Sequence, residues 1–359
     1  MDDRDIHLRK LEHLLICNHC DVEYRKSTLF NAIELIHRGI SNCNLKDIDT
    51  TTDLFGKKLD APLIVTAITG GHPKAKEINR NIAKAVEELN LGMGVGSQRA
   101  GILDSSVVDT YAVVRDYDIP LVIGNLGAVN FIEDRWNEEI VERAVEMIDA
   151  DAMAIHFNPL QEAIQPEGDT NFKGVHILKD VISKYKKKYR DIPFIAKQVG
   201  EGFSKEDAIT LREIGFDAID VAGSGGTSWA MVEYYRVKER EFKEFSRRFL
   251  EWGIPTAVSL LLVKDVFPDT IIASGGIRSG IDMAKSIAIG AHCCGVALPV
   301  LRAALKDAKE VIKVLERMIK ELKTTMFLVG CESIEALRRT KYIIKSELRE
   351  WLDIKDKDV

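Results

Sequence analysis

The chain has 359 residues, of which 46% are hydrophobic, and a formal net charge of −6. That acidic balance argues against a general nucleic-acid-binding surface, and no apolar run approaches the roughly 18 residues needed to span a membrane. The acidic start at residues 1–5 is unlike a secretory signal. We therefore expect a cytoplasmic protein without nucleic-acid or membrane partners, whose six cysteines are reduced.

The first 60 residues precede any regular alternation of strands and helices. Residues 2–20 predict a helix on which Arg9 and His13 share a face, with Lys10 adjacent. Residues 54–58 are typical of a hairpin turn before the first core strand. We interpret residues 1–60 as an N-terminal extension and residues 61–359 as one barrel domain that ends in a helical tail.

From residue 61 onward, apolar strands alternate with amphipathic helices. The predicted strands are 62–68, 91–97, 120–125, 152–158, 193–199, 218–222, 270–273 and 293–298. The predicted helices are 74–88, near 107–116, 137–148, 175–188, 205–213, 256–266, 280–288 and 300–328, with one or two more in the tail at 333–352. Residues 228–252 form an aromatic excursion after the sixth strand. Because eight such units close naturally into a barrel, the predicted fold class is α/β, a (β/α)8 TIM barrel.

The seventh predicted strand ends in a glycine turn that looks like a phosphate cradle. Residues 270–280 read TIIASGGIRSG, so Gly275 and Gly276 are followed by Arg278 and by a helix that begins near Ile281. Glycines allow a ligand to approach the backbone, a helix start presents free N–H groups, and arginine adds a fixed charge. Looser versions of this turn occur at residues 220–227 and 295–299.

Polar residues also follow the fourth predicted strand. His156 and Asn158 lie on one side of this strand by its period of two, and Gln161 and Glu162 follow on the loop. A single histidine in a strand is usually a core residue, but four polar groups at one strand end favour a site. Glu162 could be a carboxylate ligand of Mg²⁺, which takes few protein oxygens.

The fifth predicted strand carries Lys197 in an otherwise apolar run. Lysine is almost never fully buried without a partner, so we expect it to pair with a ligand anion or with the negative edge of a cofactor. Cys17 and Cys20 have C-x-x-C spacing, but a closed zinc site needs four ligands and no second pair is present. Two unligated thiols on a helix are the favoured interpretation there.

Taken together, these motifs resemble the type 2 isopentenyl-diphosphate isomerases, FMN-binding TIM barrels, from Arg9 to about Leu337. The resemblance depends on Arg9-Lys10-x-x-His13, Thr69-Gly70-Gly71, Gly96-Ser97-Gln98-Arg99, His156-x-Asn158-x-x-Gln161-Glu162, Lys197-x-Val199-Gly200, Gly223-x-Gly225-Gly226-Thr227-x-Trp229 and Ser274-Gly275-Gly276-Ile277-Arg278. Two departures are Ala222, where relatives often have serine, and Gln198, where many have glutamate.

The resemblance implies a role for each matching residue. Residues expected to line the flavin are Ala67, Ile68, Thr69, Ser97, Asn125, Lys197 and Thr227. Those expected to hold its phosphate are Gly275, Gly276, Arg278, Ala297 and Leu298. Those expected to hold the substrate are Arg9, Lys10 and His13 of the extension, with Ser97, Gln98, Arg99, His156, Asn158 and Gln161. Glu162 would bind Mg²⁺, and Gln161, His156 and Lys197 are the expected catalytic side chains.

The implied reaction converts isopentenyl diphosphate to dimethylallyl diphosphate by a 1,3-allylic proton shift in isoprenoid biosynthesis. It would use FMN reduced by NADPH, together with Mg²⁺, and the acid–base group would be flavin N5 or a side chain such as Gln161. Relatives of this kind are homotetramers or homo-octamers.

Two other classes of protein remain as alternatives to an isomerase. A hydroxy-acid oxidase or dehydrogenase on the same barrel needs a histidine base in a late loop, and a nucleotide dehydrogenase needs a cysteine there. Residues 223–227, GSGGT, contain neither. A flavin- or metal-binding protein without enzymatic activity, built on Cys17 and Cys20, is the remote alternative.

Overall fold

A computed structural model describes residues 3–268 and 270–353 of the chain. Eight parallel strands form a closed barrel, which confirms the predicted fold class. They are β4 Leu63–Val65, β5 Gly92–Gly94, β6 Leu121–Gly127, β7 Ala152–Phe157, β8 Phe194–Gln198, β9 Ala218–Asp220, β10 Ile271–Ala273 and β11 Cys293–Val296. Their order around the barrel is β10-β11-β4-β5-β6-β7-β8-β9. Each lies within a predicted strand or extends it by at most two residues.

The barrel strands are apolar because both of their faces are covered. Every residue of β6 and β8 is buried, as expected for strands enclosed by helices outside and side chains inside. In the parallel register, His156 pairs with Lys197, and Lys197 pairs with Asp220. Polar residues at the ends of neighbouring strands are therefore brought together at the C-terminal mouth.

Helices surround the barrel and also form the extension and the tail. They are α1 Asp3–His19, α2 Pro73–Glu88, α3 Arg99–Leu103, α4 Asp109–Ala112, α5 Ala128–Glu133, α6 Glu138–Ile148, α7 Pro159–Ile164, α8 Ile177–Lys188, α9 Lys205–Ile214, α10 Trp229–Arg236, α11 Arg240–Arg247, α12 Thr256–Val263, α13 Gly280–Ala288, α14 Leu298–Ala304, α15 Ala308–Val329, α16 Ile334–Arg338 and α17 Ser346–Leu352. Where the sequence predicts a helix near 107–116, the structure has only the short helix α4, with a 3-10 helix on each side of it. The helix α13 begins with a capping box formed by Ser279 and Asp282.

The predicted single helix at 300–328 is wrong, because two helices, α14 and α15, occupy this stretch. Asp307 has an extended backbone between them, and its side chain accepts a hydrogen bond from the Glu310 N–H. This N-cap begins a new helix and satisfies a backbone donor that the first turn would leave free.

Two small sheets lie outside the barrel. Strands β2 Thr52–Leu54 and β3 Lys57–Leu59 form the hairpin that the sequence predicts. The tail is not wholly helical, however, because strand β12 Tyr342–Ile344 pairs antiparallel with β1 Ile33–Leu35 of the extension. Aromatic and β-branched residues suit a strand, but the partner is some 300 residues away in the chain and could not be identified from local pattern.

Within the described residues, no helix is long and apolar enough to cross a membrane. The same residues contain no group of three or more His, Cys, Asp and Glu side chains that could hold a metal ion. The cysteines are free thiols, and burial raises the pKa of the Cys17 thiol to about 12.

Candidate active site

A cavity opens at the C-terminal mouth of the barrel, and the ends of all eight barrel strands contribute to its wall, together with helix α1. Nearly every residue that the sequence singles out lines it. The lining residues among those predicted are Arg9, Lys10, His13, Ala67, Ile68, Thr69, Ser97, Arg99, Asn125, His156, Asn158, Gln161, Glu162, Lys197, Thr227, Gly275, Gly276, Arg278, Ala297 and Leu298.

Gln98 is the exception, and its predicted contact with substrate is not supported. Its side chain is fully buried behind the cavity wall. The amide Nε2 donates to the Ala144 carbonyl at 2.7 Å, and Oε1 accepts from the Asn125 N–H at 2.9 Å. Both the nitrogen and the oxygen of the amide are therefore hydrogen-bonded to backbone groups, and Gln98 stabilises the end of β6.

Lys197 forms an ion pair with a protein side chain, Asp220, and does not need a ligand anion as its partner. Its Nζ lies 2.6 Å from Oδ2 of Asp220, and both side chains are buried. Asp220 also accepts a hydrogen bond from Ser274 Oγ at 2.5 Å, and Thr66 Oγ1 lies 3.5 Å away. The ion pair follows from the strand register that sets the two residues side by side, and it satisfies a charge that burial would otherwise penalise.

His156 is neutral at physiological pH. Burial, with repulsion from the charges of Lys10 and Lys197, lowers the pKa of His156 to about 3. Asn125 donates through Nδ2 to the Val95 carbonyl, so its Oδ1 accepts from Nδ1 of His156 at 3.0 Å. This network assigns the proton to Nδ1 and leaves Nε2 as an acceptor, so the imidazole does not carry an acidic proton for donation.

Glu162 lies in a cluster of amide groups at the start of α7. Its carboxylate accepts hydrogen bonds from Asn158 Nδ2 at 2.8 Å, Gln165 Nε2 at 2.5 Å and the Asp169 N–H at 2.8 Å. The opposite amide oxygens, Asn158 Oδ1 and Gln165 Oε1, are buried and have no hydrogen-bond partner among the described residues. Buried oxygens without donors are the kind of ligand that a hard cation prefers.

Three cations lie on the side of the cavity formed by α1 and the end of β5. Arg99 is paired with Asp134 at 3.3 Å and with Asp169 at 3.2 Å, whereas Lys10 Nζ donates to the Ser97 carbonyl at 3.2 Å. Burial, with repulsion from Arg9, lowers the pKa of Lys10 to about 7. A multiply charged anion would stabilise the protonated form of this lysine.

The glycine turn that the sequence predicts to bind phosphate follows β10 and lines the cavity. Gly275 and Gly276 have φ values of 93° and 72°, in the region that favours glycine. A Cβ on Gly275 would lie 2.2 Å from the Gly223 carbonyl oxygen. Arg278 follows, and its Nη2 lies 2.5 Å from Glu23 Oε1 of the extension.

Comparison with known proteins identifies the family. The FMN-dependent dehydrogenase family model matches residues 160–344. The isopentenyl-diphosphate delta-isomerase of Methanococcus maripaludis is 69% identical over 98% of this chain and 99% of its own length. That of Methanocaldococcus jannaschii is 65% identical over 97% of each chain, and that of Archaeoglobus fulgidus is 47% identical over 97% and 98%. The chain belongs to the type 2, FMN-dependent isopentenyl-diphosphate isomerases.

Solved structures resemble this isomerase in fold alone. A lactate oxidase of Pediococcus acidilactici superposes with a TM-score of 0.65 at 17% identity, over 96% of this chain and 93% of its own. A mandelate oxidase superposes with a TM-score of 0.63 at 20% identity, over 95% and 96%. At such identities the likeness extends to the barrel and carries no information about the reaction.

Three acidic residues that pair with side chains lining the cavity are not predicted from the sequence: Asp220, Glu23 and Glu233. Asp220 had a local signal, because a carboxylate in the apolar run 218–222 needs a partner as much as Lys197 does. Glu233 is fully buried on α10, with Oε1 2.8 Å from His13 Nε2. Glu23 had no local signal, because its partner Arg278 is 255 positions away. Glu233 pairs with Arg236 on the same helix, but its cavity-lining partner His13 is 220 positions away.

Proposed function

We propose that the cavity binds isopentenyl diphosphate beside reduced FMN and Mg²⁺ and isomerises it to dimethylallyl diphosphate. The observation that carries this proposal is that cationic side chains line one cavity at two separate places. Arg9, Lys10 and Arg99 lie at one place, and the Gly275–Gly276 turn with Arg278 lies at the other; strands β4 and β11 separate the end of β5 from the end of β10. A flavin phosphate and a substrate diphosphate require one cradle each.

The residues present fit FMN. The cradle after β10 has no space for a Cβ, so backbone N–H groups can approach a phosphate closely. Arg278, Ala297 and Leu298 would flank that phosphate. The residues that would line the ring system are Ala67, Ile68, Thr69, Ser97, Asn125, Lys197 and Thr227. When bound, a reduced flavin supplies proton transfer to an unactivated alkene, which ordinary side chains do not provide at neutral pH.

The oxygens around Glu162 fit Mg²⁺. Its carboxylate, with the unpartnered Asn158 Oδ1 and Gln165 Oε1, offers the hard ligands that this ion prefers. Few protein ligands are needed, because water molecules and substrate phosphate oxygens complete the coordination shell of Mg²⁺. A metal held there would neutralise diphosphate charge beside the arginines.

The remaining side chains would hold and orient the substrate. Arg9, Lys10 and Arg99 would bind the diphosphate, with His13, Ser97 and Asn158 beside them. Gln161 is the proposed side-chain participant near the reacting carbons. Neutral His156 would accept a hydrogen bond. Lys197, held by Asp220, would supply a positive charge to a bound flavin.

The wider biology is proposed on the same basis. We propose NADPH as the reductant, the cytoplasm as the location, and residues 1–60 as an extension of a single barrel domain. A homotetramer or homo-octamer is supported by the large exposed side chains of the excursion, namely Tyr235, Phe242, Phe245 and Trp252.

Omission of each component tests the proposed reaction. The protein is incubated with isopentenyl diphosphate, FMN, Mg²⁺ and NADPH, and dimethylallyl diphosphate is measured with each component left out in turn. We expect no product without flavin or without a reductant. Glu162→Gln should raise the Mg²⁺ concentration for half-maximal turnover by about tenfold, whereas the exposed Glu146→Gln should leave it unchanged. Full turnover without flavin would contradict the proposal.

The depressed pKa of Lys10 predicts a pH dependence of substrate affinity. In the ligand-free protein this pKa is about 7, and a bound diphosphate would raise it. Above pH 7, binding must therefore take up a proton, so affinity should fall by up to about tenfold per pH unit. The dissociation constant of isopentenyl diphosphate, measured from about pH 7.5 to about 9.5 where diphosphate is fully ionised, checks this. Lys10→Met should bind more weakly and with a flat profile; a flat profile for the unaltered protein would count against it.

A further inference from the structure

Arg236, at the end of α10, joins three separate parts of the chain. Its Nε lies 2.5 Å from Glu233 Oε2 on the same helix, and its Nη2 lies 2.8 Å from Glu167 Oε1 in the loop after α7. Its Nη1 lies 3.9 Å from Glu12 Oε2 on α1. Only 11% of the Arg236 side chain is exposed, so these charges interact more strongly than surface pairs do. Arg236 lies outside the set of described residues that line the cavity, so it can act only through its neighbours.

The first of these neighbours, Glu233, connects Arg236 to the helix that carries the substrate-binding cations. Glu233 is fully buried, and its second oxygen lies 2.8 Å from His13 Nε2. Burial raises the pKa of Glu233, but the hydrogen bond from His13 and the charge of Arg236 lower it overall. Burial also lowers the pKa of His13, so Arg236 is the permanent cation beside this carboxylate. An ionised Glu233 is therefore held between Arg236 on the barrel side and His13 on α1.

The second neighbour, Glu167, is shared between two arginines. Arg236 Nη2 lies 2.8 Å from its Oε1, whereas Arg9 Nη1 lies 3.6 Å from the same atom. The closer contact with Arg236 compensates most of the Glu167 charge. Without Arg236, Glu167 would attract Arg9 more strongly and compete with a diphosphate for it.

We propose that Arg236 is a positioning residue for substrate binding, which fastens α1 over the cavity and keeps Arg9 available to an anion. The first effect runs through Glu233 to His13 and through Glu12, and the second runs through Glu167. This inference rests on the proposed function, because it takes Arg9, Lys10 and His13 as ligands of the diphosphate. It makes substrate affinity depend on a side chain that touches neither substrate nor flavin.

Arg236→Met, Arg236→Lys and Glu167→Gln test the proposal in the FMN-loaded protein. Arg236→Met should raise KM for isopentenyl diphosphate about tenfold or more, change kcat less, and leave FMN affinity within about twofold. Arg236→Lys keeps one charge and should recover part of the loss. Glu167→Gln removes the carboxylate that attracts Arg9, so KM should not rise in this variant. In the double variant with Arg236→Met, KM should be lower than in Arg236→Met alone. Arg339→Met, which removes an exposed arginine paired with Glu335, is the matched control.

Limited trypsin digestion without substrate gives a readout that is independent of activity. Cleavage after Arg9 and Lys10, followed by mass spectrometry, should be about tenfold faster in Arg236→Met, because local opening of α1 becomes easier. If Arg236→Met changed neither the cleavage rate nor KM, the proposal would be overturned. It would also be overturned if Arg236→Met lost as much affinity for FMN as for isopentenyl diphosphate. A Glu167→Gln variant with raised KM would also overturn it, and this comparison remains decisive if Arg236→Met does not fold. If the protein failed to isomerise its substrate at all, the digestion would still test how α1 is anchored.

Discussion

Replacing Gly275 with alanine is expected to lower the affinity for FMN by about a hundredfold or more. The new Cβ would lie 2.2 Å from the carbonyl oxygen of Gly223 and 2.6 Å from its nitrogen, both of them rigid backbone atoms. The residue also has a φ of 93°, which costs a non-glycine residue about 1–3 kcal/mol. The turn must therefore move, and it carries the N–H groups and Arg278 that would hold the flavin phosphate. Titration of the apoprotein with FMN, followed by quenching of flavin fluorescence, measures the change.

Gly39→Ala is the matched control for this experiment. Gly39 has nothing within 4 Å of a Cβ and lies outside the positive-φ glycines, so FMN affinity should be unchanged. Thermal unfolding of both apoproteins separates loss of the cradle from loss of the barrel. A Gly275→Ala protein that retains FMN as tightly as the control would show that the phosphate is held elsewhere.

Removal of Lys197 is expected to produce the largest loss of stability. Lys197→Met leaves the Asp220 carboxylate buried without its cation, 2% exposed and supported only by Ser274 and Thr66 among the described hydrogen bonds. Breaking one side of a buried ion pair costs about 3–5 kcal/mol. The free energy of unfolding of the apoprotein in urea at neutral pH measures this loss. The apoprotein is used because bound flavin would itself add to the stability of the folded state.

The double variant Lys197→Met with Asp220→Asn distinguishes an unpaired charge from lost packing. Asparagine keeps the shape of Asp220 and can accept from Ser274 but carries no charge. Most of the lost stability should therefore return in the double variant. Equal destabilisation of the single and double variants would show that the ammonium group matters for packing rather than for charge compensation.

The sequence was sufficient to locate the barrel and most of the cavity wall for one physical reason. Strand and helix periods are local properties, and parallel strands of a barrel necessarily present their C-terminal ends at one mouth. His156, Asn158 and Lys197 could thus be placed together without knowledge of any contact. Gln98 differs because it precedes α3 with φ −82° and ψ 4°, so strand alternation no longer sets its direction, and its amide contacts the Ala144 and Asn125 backbone.

The ion pairs could not be inferred in the same way. Glu23 with Arg278 and Glu233 with His13 join residues more than 200 positions apart. Asp307 is a different case, because its N-cap signal was present in the sequence. The apolar period of α14 continues into α15, so hydrophobic periodicity alone predicts one helix across the break.

The pairing of β1 with β12 has a consequence for biosynthesis. The ribosome synthesises Ile33–Leu35 some 300 residues before Tyr342–Ile344. A nascent chain can therefore assemble much of its barrel while this early strand still has an open edge, which is prone to wrong pairing. The segment between that strand and α1 contains Glu23, the partner of Arg278. The small sheet that follows this segment can therefore form only after all eight barrel strands have been synthesised.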